Sequence, residues 1–494
     1  MNITIKNSGT FLFLVSAIYI ITAFFSVGYH QLDEHYQILE FANYKLGLTY
    51  PGYLAWEFDA HIRPSLQPLI AAGIIKVLVF FNLSNPHIWA LVLRLISGLL
   101  SIITIKHFVN SFLPEISIKL ARYFIIASYL LWYLPYVNVR YSSENWSGLL
   151  FLSAVTLIRS EKFEHKRLQF ILIGVCMGCS VLLKYQAALL IVGAIAWLIY
   201  IKRIKTRHFL LIILTISVVL ILGFLLDSWF YGEWIVTIFN YFKVNILQGT
   251  ASDFGVSPWY QYFIYILVEP IFPIGVLILA SFLTLLYTDS KNLILWCILP
   301  FLVIHSLIPH KEVRFLFQIV NFTPLILILF IQRFRKIQNR KHYVFVKIVF
   351  GILFCINSIA LILNSTKGAG DGHLVIAQYI HNHFINQPVN VISSCSSAPY
   401  GCANARDIFY SDKNVNVFYI KSIFQPDILT YKKRGYLNFI VLSDKEIAQP
   451  RVTEILKKLN VFKITESTAP LNKLVISFYN KALLDDNITL FELR

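Results

Sequence analysis

Three short stretches of an otherwise apolar chain gather the side chains that could do chemistry: LDEHYQILE at 32–40, YLAWEFDAHIRPSLQP at 53–68 and HKEVRF at 310–315. Asp33, Glu34 and Glu40 follow directly on an apolar run. A carboxylate against lipid is costly, so acids at such a place face water or a cavity. Their plain role is to cap the next helix, where negative charge is favoured; their chemical role is that of a general base. In the second stretch, Trp56 and Tyr53 suit a membrane interface, whereas Glu57, Asp59, His61 and Arg63 exceed what an aromatic belt needs. An arginine can hold a phosphate bidentately, and a tryptophan can wall a sugar or a lipid. In the third, Lys311 and Arg314 could snorkel to head groups with Glu312 balancing them. Together with His310 they could also meet the charge on a departing phosphate.

Further aromatic and charged residues fall in LLDSWFYGEW at 225–234, NYFKVN at 240–245 and FGVSPWYQYF at 254–263. These read either as an aromatic membrane surface or as the wall of an acceptor or lipid pocket. Arg140, Glu144, Asn145 and Lys184 stand at the ends of apolar runs, where each alone reads as an anchor.

The elements that must position these residues are membrane helices. Of 494 residues, 57% are hydrophobic and only 14% charged, too little charge to cover a soluble body of this length. The formal net charge of +17 does not indicate nucleic acid, because the basic residues lie mostly between apolar runs rather than in one aromatic-laced patch. They read as topology signals. Cys176, Cys179, Cys297 and Cys355 lie within apolar runs and read as buried thiols; Cys395 and Cys402 could pair if their segment faces an oxidising compartment. No metal cluster with convincing ligand spacing appears, and neither metal nor cofactor is expected, although Asp33 and Glu34 could in principle hold a divalent ion.

The N-terminal apolar run lacks a small-x-small cleavage site before His30 and reads as a retained span. Further runs fall near 88–105, 123–138, 146–158, 168–183, 187–201, 209–226, 263–286, 293–308, 315–331 and 343–363, which makes about eleven crossings. The run at 63–80, with two prolines and Lys76, suits a helix lying along the interface. On that count, Lys106/Lys119/Arg122, Arg159/Lys162/Lys166/Arg167, Lys202/Arg203/Lys205/Arg207 and Arg333/Arg335/Lys336/Arg340/Lys341 share the cytoplasmic side. The opposite face receives 29–87, 139–145, 227–262, 309–314 and everything after 364, and with them the candidate chemistry.

The expected fold is therefore an all-α polytopic membrane protein. It comprises a transmembrane catalytic domain over 1–363, with outer loops at 29–87 and 227–262, and a small extracytoplasmic α/β domain over 364–494. In the tail, the strand-like runs VNVIS, VNVFYI and YLNFIVLS alternate with helical HLVIAQYIHNHF and VTEILKKLN.

At these residues the chain resembles the glycosyltransferase family 22 mannosyltransferases, of the kind that assemble lipid-linked oligosaccharides and GPI anchors. WEFDAHIRPSLQP is similar to that family's tryptophan–glutamate element, LDEHYQILE to its first-loop aspartate–glutamate element, and HKEVRF to its histidine–lysine–glutamate–x–arginine–phenylalanine signature. YGEW, NYFKVN and the G-x-x-PWY stretch follow in the same order, and SSCSSAPYGC is weakly similar to a later lumenal segment. Leu32, Phe58, Pro64 and Gln318 depart from the family pattern. The resemblance implies a GT-C fold and inverting transfer of a hexose, mannose in that family, from a polyprenyl-phosphate donor to a lipid-linked glycan or glycolipid acceptor. It places the catalytic aspartate on Asp33, with Glu34 as the reserve base that the sequence does not separate from it, and binding elements on Trp56, Glu57, Arg63, His310, Lys311, Glu312 and Arg314.

Two rivals stand beside it. One is a transporter or flippase of lipid-linked saccharides, although no inverted repeat is seen. The other is a polymerase or ligase that uses a diphosphate-linked donor. The abundance of Lys, Ile and Asn favours a bacterial inner membrane, with the endoplasmic reticulum second; Asn145 and Asn364 match the N-x-S/T pattern.

Overall fold

The computed structural model describes residues 8–160, 166–337, 343–370, 372–402, 405–424, 428–479 and 487–494; Lys162, Arg340 and Lys341 lie outside them. The chain divides into two compact units. The first takes in Met1–Ile20, Asp59–Gln67 and Arg94–Asn364, and the second Ile21–Phe58, Pro68–Leu93 and Ser365–Arg494. Residues 29–58 and 68–87 are thus grouped with the tail.

The first unit is helical. Among the described residues, Pro86–Glu115, Thr206–Tyr231 and Lys347–Ser365 are long and apolar enough to cross a bilayer, and a fourth crossing results if Phe272–Thr288 and Leu293–Leu307, bent by 115°, count as one. Shorter apolar helices of 10–17 residues include Arg167–Leu183 and Ala187–Tyr200. Local chemistry sets their ends. The Ser142 hydroxyl accepts from the Asn145 amide to start Ser143–Arg159, and Gly232, at φ 81°, ends Thr206–Tyr231.

Three expected runs are interrupted. The 123–138 run is two helices, Ile118–Leu130 and Leu134–Val139, the second with Pro135 in its first turn. Asn357 repairs the break: its Oδ1 accepts from the Trp132 amide at 2.9 Å, and its Nδ2 donates to the Leu130 carbonyl at 2.9 Å. The 263–286 run breaks between Gln261–Val268 and Phe272–Thr288, where Pro270 precedes Ile271 at φ +71°. The 315–331 run opens with two 3₁₀ turns, Val313–Gln318 and Val320–Phe322, and becomes α-helical only at Thr323. Those turns let the chain pass close to a neighbouring helix, since a Cβ on Gly148 would lie 2.8 Å from the Gln318 carbonyl oxygen. Helices Arg167–Leu183 and Thr206–Tyr231 also pack closely. A Cβ on Gly174 would lie 2.6 Å from the Thr215 Cβ, and one on Gly178 2.8 Å from that of Val219, the small-x-x-x-small arrangement of membrane helices.

The second unit carries a mixed sheet. Its strands are β1 (Val389–Ser393), β2 (Gly401–Cys402), β3 (Ala405–Arg406), β4 (Val415–Tyr419), β5 (Leu437–Ser443), β6 (Val461–Glu466) and β7 (Ile488–Leu493). The main sheet runs β4-β1-β5-β7-β6, with β1 parallel to β4 and β5, and β7 antiparallel to β5 and β6. Every residue of β1 is buried, as expected of a parallel strand covered on both faces. Ile392, Ile440, Leu442, Val452 and Phe491 form its core. A disulfide joins Cys395 to Cys402, the latter within β2 of the β2–β3 hairpin.

In the same unit the first loop opens with the one-turn helix Leu32–Glu34, which passes into a π-helix, His35–Leu39, and then into Glu40–Lys45. The Ala369 amide donates to the Val27 carbonyl at 2.8 Å, and Gly370, at φ +57°, lies where a Cβ would come within 2.7 Å of the Tyr29 carbonyl oxygen.

Candidate active site

In the first unit the HKEVRF stretch folds around Phe315. After Leu293–Leu307 ends, Glu312 is extended (φ −131°, ψ 148°) and the 3₁₀ turn Val313–Gln318 follows. This alternation points His310 and Arg314 back at the carboxylate between them. His310 Nε2 lies 2.7 Å from Glu312 Oε1; Arg314 donates from Nη2 to the same oxygen at 2.9 Å, and its Nε lies 2.5 Å from Oε2. The Phe315 ring is then approached by four cationic or titratable side chains. Arg314 stands 5.3 Å and Lys184 5.9 Å from its centroid, and the rings of His305 and His310 lie at 5.9 and 6.3 Å. Lys184 is itself buried against Glu144, at 2.6 Å.

Lys311 departs from the sequence grouping. Its ammonium donates to the carbonyls of Ile308 (2.6 Å), Ser257 (3.0 Å) and Pro309 (3.4 Å), which uses all three of its protons. Burial pushes its pKa down. In this structure it fastens the turn and does not extend the cationic cluster.

Arg63 is held by its backbone. Its carbonyl accepts from the Tyr231 hydroxyl at 2.8 Å, its guanidinium lies 5.9 Å from the Tyr241 ring, and His61 pairs with Glu233 at 2.8 Å. Two residues on, the Ser65 amide and hydroxyl donate to Asp227 Oδ1 at 2.8 and 2.6 Å. Thr237 donates to Asp227 Oδ2 at 2.5 Å, and the Tyr185 hydroxyl is bonded to that of Thr237 at 2.6 Å. Sequence reasoning named the 225–234 stretch without singling out Asp227. The available signal was an acid at the end of a span.

In the second unit the two first-loop acids differ. Glu34 is 7% exposed and accepts from the His30 amide at 3.3 Å, whereas Asp33 is half-buried and Leu32 beside it is exposed. Glu57 is buried and accepts from Gln37 Nε2 at 2.9 Å, which ties the second stretch to the π-helix of the first. Trp56 is exposed. Behind the acids lies a network that the sequence did not announce. His35 Nε2 lies 2.8 Å from Glu40 Oε1 and 3.3 Å from Asp407 Oδ1. Burial alone would lower the His35 pKa, but the charge of Asp407 and the bond to Glu40 outweigh it and hold it above its usual value. Burial likewise raises Asp407 above the usual carboxylate range. Asn145 is no glycosylation acceptor in this fold: it is buried, and its Nδ2 donates to the carbonyls of Arg140 and Asn138 at 2.8 and 3.1 Å.

The sequence profile of the Alg9-like mannosyltransferase family matches residues 10–401. The chain belongs to that family. Within the Alg9-like mannosyltransferases it is 28% identical over 323 residues to GPI mannosyltransferase 3 of Yarrowia lipolytica, covering 63% of this chain and 60% of the relative. It is 25% identical over 297 residues to GPI alpha-1,2-mannosyltransferase 3 of Bos taurus, covering 59% and 53%. The chain thus spans little more than half the length of these relatives. Among solved structures, ArnT from Cupriavidus metallidurans bound to undecaprenyl phosphate shares its fold, with a TM-score of 0.56 at 11% identity over 98% of this chain and 97% of that one. This family member accordingly has the GT-C fold of a multi-pass integral membrane protein.

Proposed function

We propose that the chain is an inverting glycosyltransferase that moves a hexose, mannose by family, from a polyprenyl phosphate to a lipid-linked glycan or glycolipid on the non-cytoplasmic face. The observation that carries this reading is the cluster around Phe315, where His310 and Arg314 share Glu312 and Lys184 stands close by. The fixed cations Arg314 and Lys184 in a partly dewatered setting suit a developing phosphate charge. Arg63 joins them as a second phosphate ligand, and Lys311 fastens the turn. Asp33, the more exposed of the two first-loop acids, is the base.

In the reaction an acceptor hydroxyl oxygen attacks the anomeric carbon from the face opposite the phosphate. Its proton passes to Asp33, the bond from the anomeric carbon to the phosphate oxygen breaks, and polyprenyl phosphate departs as an anion. No strong general acid is required for that leaving group. The relatives named above are GPI mannosyltransferases, which supports a glycolipid acceptor. About eleven crossings, an outer face that receives residues 29–87 and 364–494, and a bacterial inner membrane complete the reading, with the composition as support for the last.

The experiment incubates membranes holding the full chain with radiolabelled polyprenyl-phosphate mannose and follows label into the lipid fraction. New labelled glycolipid that depends on Asp33 supports the proposal. Label that crosses the membrane with its donor bond intact overturns it in favour of transport.

A further inference from the structure

A single tail residue holds both sides of the turn that carries the first-loop acids. Asp407 accepts from the Tyr36 hydroxyl at 2.6 Å, lies 3.3 Å from His35 Nε2, and has the Tyr29 hydroxyl 3.4 Å from each of its oxygens. Tyr29 precedes Asp33, and His35 and Tyr36 follow it. The His35 ring is stacked between Tyr29 (5.1 Å, 28°) and Tyr410 (5.5 Å, 16°), and Glu40 Oε1, which meets its Nε2, also accepts from the Phe409 amide at 2.8 Å. The Asp407 backbone is fixed in turn: its amide donates to the Tyr400 carbonyl at 3.0 Å, and its carbonyl accepts from the Tyr410 amide at 3.2 Å.

The alternative to a functional role is plain packing. Two features argue against it. His35, Glu40 and Asp407 are at most 1% exposed, and buried ion pairs of this kind are often no more stabilising than apolar side chains of the same shape, so their return is one fixed geometry. The segment they fix is a π-helix, a rare form found mostly as single turns and frequently at functional sites. We propose that Asp407 is a positioning residue for catalysis, which orients Asp33 through Tyr29, His35 and Tyr36. The proposal rests on the reading of Asp33 as the base. The other titratable groups near Asp407 are Glu40, His373, Tyr410 and Tyr419.

The test uses the purified full chain in detergent, polyprenyl-phosphate [³H]mannose as donor, and a lipid extract of the expressing host as acceptor, with Asp33→Asn, Asp407→Asn and the double variant compared. Misplacement of a catalytic group by about 1 Å can cost about 100-fold, so Asp407→Asn is expected to lower kcat by about ten- to a hundredfold at unchanged donor KM. In the Asp33→Asn background it should cost nothing further. Tyr36→Phe, which removes one hydrogen bond and leaves the charges in place, is the milder variant should Asp407→Asn not fold, and it should show the same dependence on Asp33 with a smaller loss. An equal loss in both backgrounds makes the network merely structural and overturns the inference, as do unchanged kinetics of Asp407→Asn and Tyr36→Phe. Undiminished transfer by Asp33→Asn instead overturns the base assignment, and the inference with it.

Discussion

The Asp227 carboxylate, on the last turns of the Thr206–Tyr231 helix, receives both the amide and the hydroxyl of Ser65 from 162 residues earlier in the chain. It thereby fixes the short segment on which Arg63 stands. Asp227→Ala leaves two Ser65 donors and the Thr237 hydroxyl without this acceptor, at a cost of about 1–3 kcal/mol for each one left unsatisfied. The expected outcome is a lower unfolding temperature in detergent and a raised KM for the polyprenyl-phosphate donor, with Asp227→Asn intermediate. An unchanged donor KM in Asp227→Ala would show that Arg63 does not depend on this anchor.

Lys184 and Glu144 are buried partners at 2.6 Å. Removing either one alone should destabilise the protein by about 3–5 kcal/mol, because the other charge stays buried against its desolvation cost. The Lys184→Met/Glu144→Leu double variant should recover most of that loss. Thermal unfolding followed by tryptophan fluorescence checks this, and additive losses would rule out direct coupling.

Glu312 bridges His310 and Arg314 and so sets where both stand. Glu312→Ala is expected to reduce transfer about ten- to a hundredfold, in line with about 1.5–3 kcal/mol for a hydrogen bond to a charged group. Glu312→Gln, which keeps one acceptor oxygen, should lose less. Initial rates at saturating donor measure the difference, and equal activity in all three proteins refutes it.

His35 gives a pH dependence with a definite sign. Its folded pKa lies above the usual 6.5, because Asp407 and Glu40 favour the charged ring more than burial disfavours it. The stability it contributes is therefore fully present below pH 6.5 and is lost as pH rises through the folded value. Asp407, whose pKa is raised by burial, contributes with the same sign, since the folded state keeps its proton above the unfolded value of 3.8 and that contribution is lost as pH rises through the folded value. The unfolding midpoint should fall as pH rises above 6.5, and His35→Gln should flatten that slope. A midpoint that rises over this range contradicts the assignment.

The six cysteines comprise one pair and four thiols: Cys395 is joined to Cys402, and Cys176, Cys179, Cys297 and Cys355 are free. Alkylation of the denatured, unreduced chain should modify four cysteines by intact mass, and six after reduction. Six before reduction would mean that the tail does not meet an oxidising compartment.

The three stretches picked out from sequence hold part of the polar geometry, because a carboxylate or guanidinium in so apolar a chain is costly unless something holds it, but Asp227, the Lys184–Glu144 pair and Asp407 lie outside them. A different signal, strand-like apolar runs, marked the tail strands: VNVIS, VNVFYI and YLNFIVLS coincide with β1, β4 and β5 within a residue. The breaks at Leu131, Ile271 and Gln318 were not legible. Apolarity reports burial, whereas the continuity of a helix depends on partners such as Asn357 that lie hundreds of residues away.

Composition and local spacing determined the class of molecule, the family motifs and the balancing of Arg314 by Glu312; that His310 rather than Lys311 joins them came from the fold. The tertiary structure alone decided which charges serve geometry: Lys311 turned to three carbonyls, Asp227 anchoring Ser65, and Asp407 holding the turn around Asp33. The physical reason is range. A hydrogen bond acts over about 3 Å of space whatever the separation along the chain, and local sequence cannot say which distant partner will arrive within that distance.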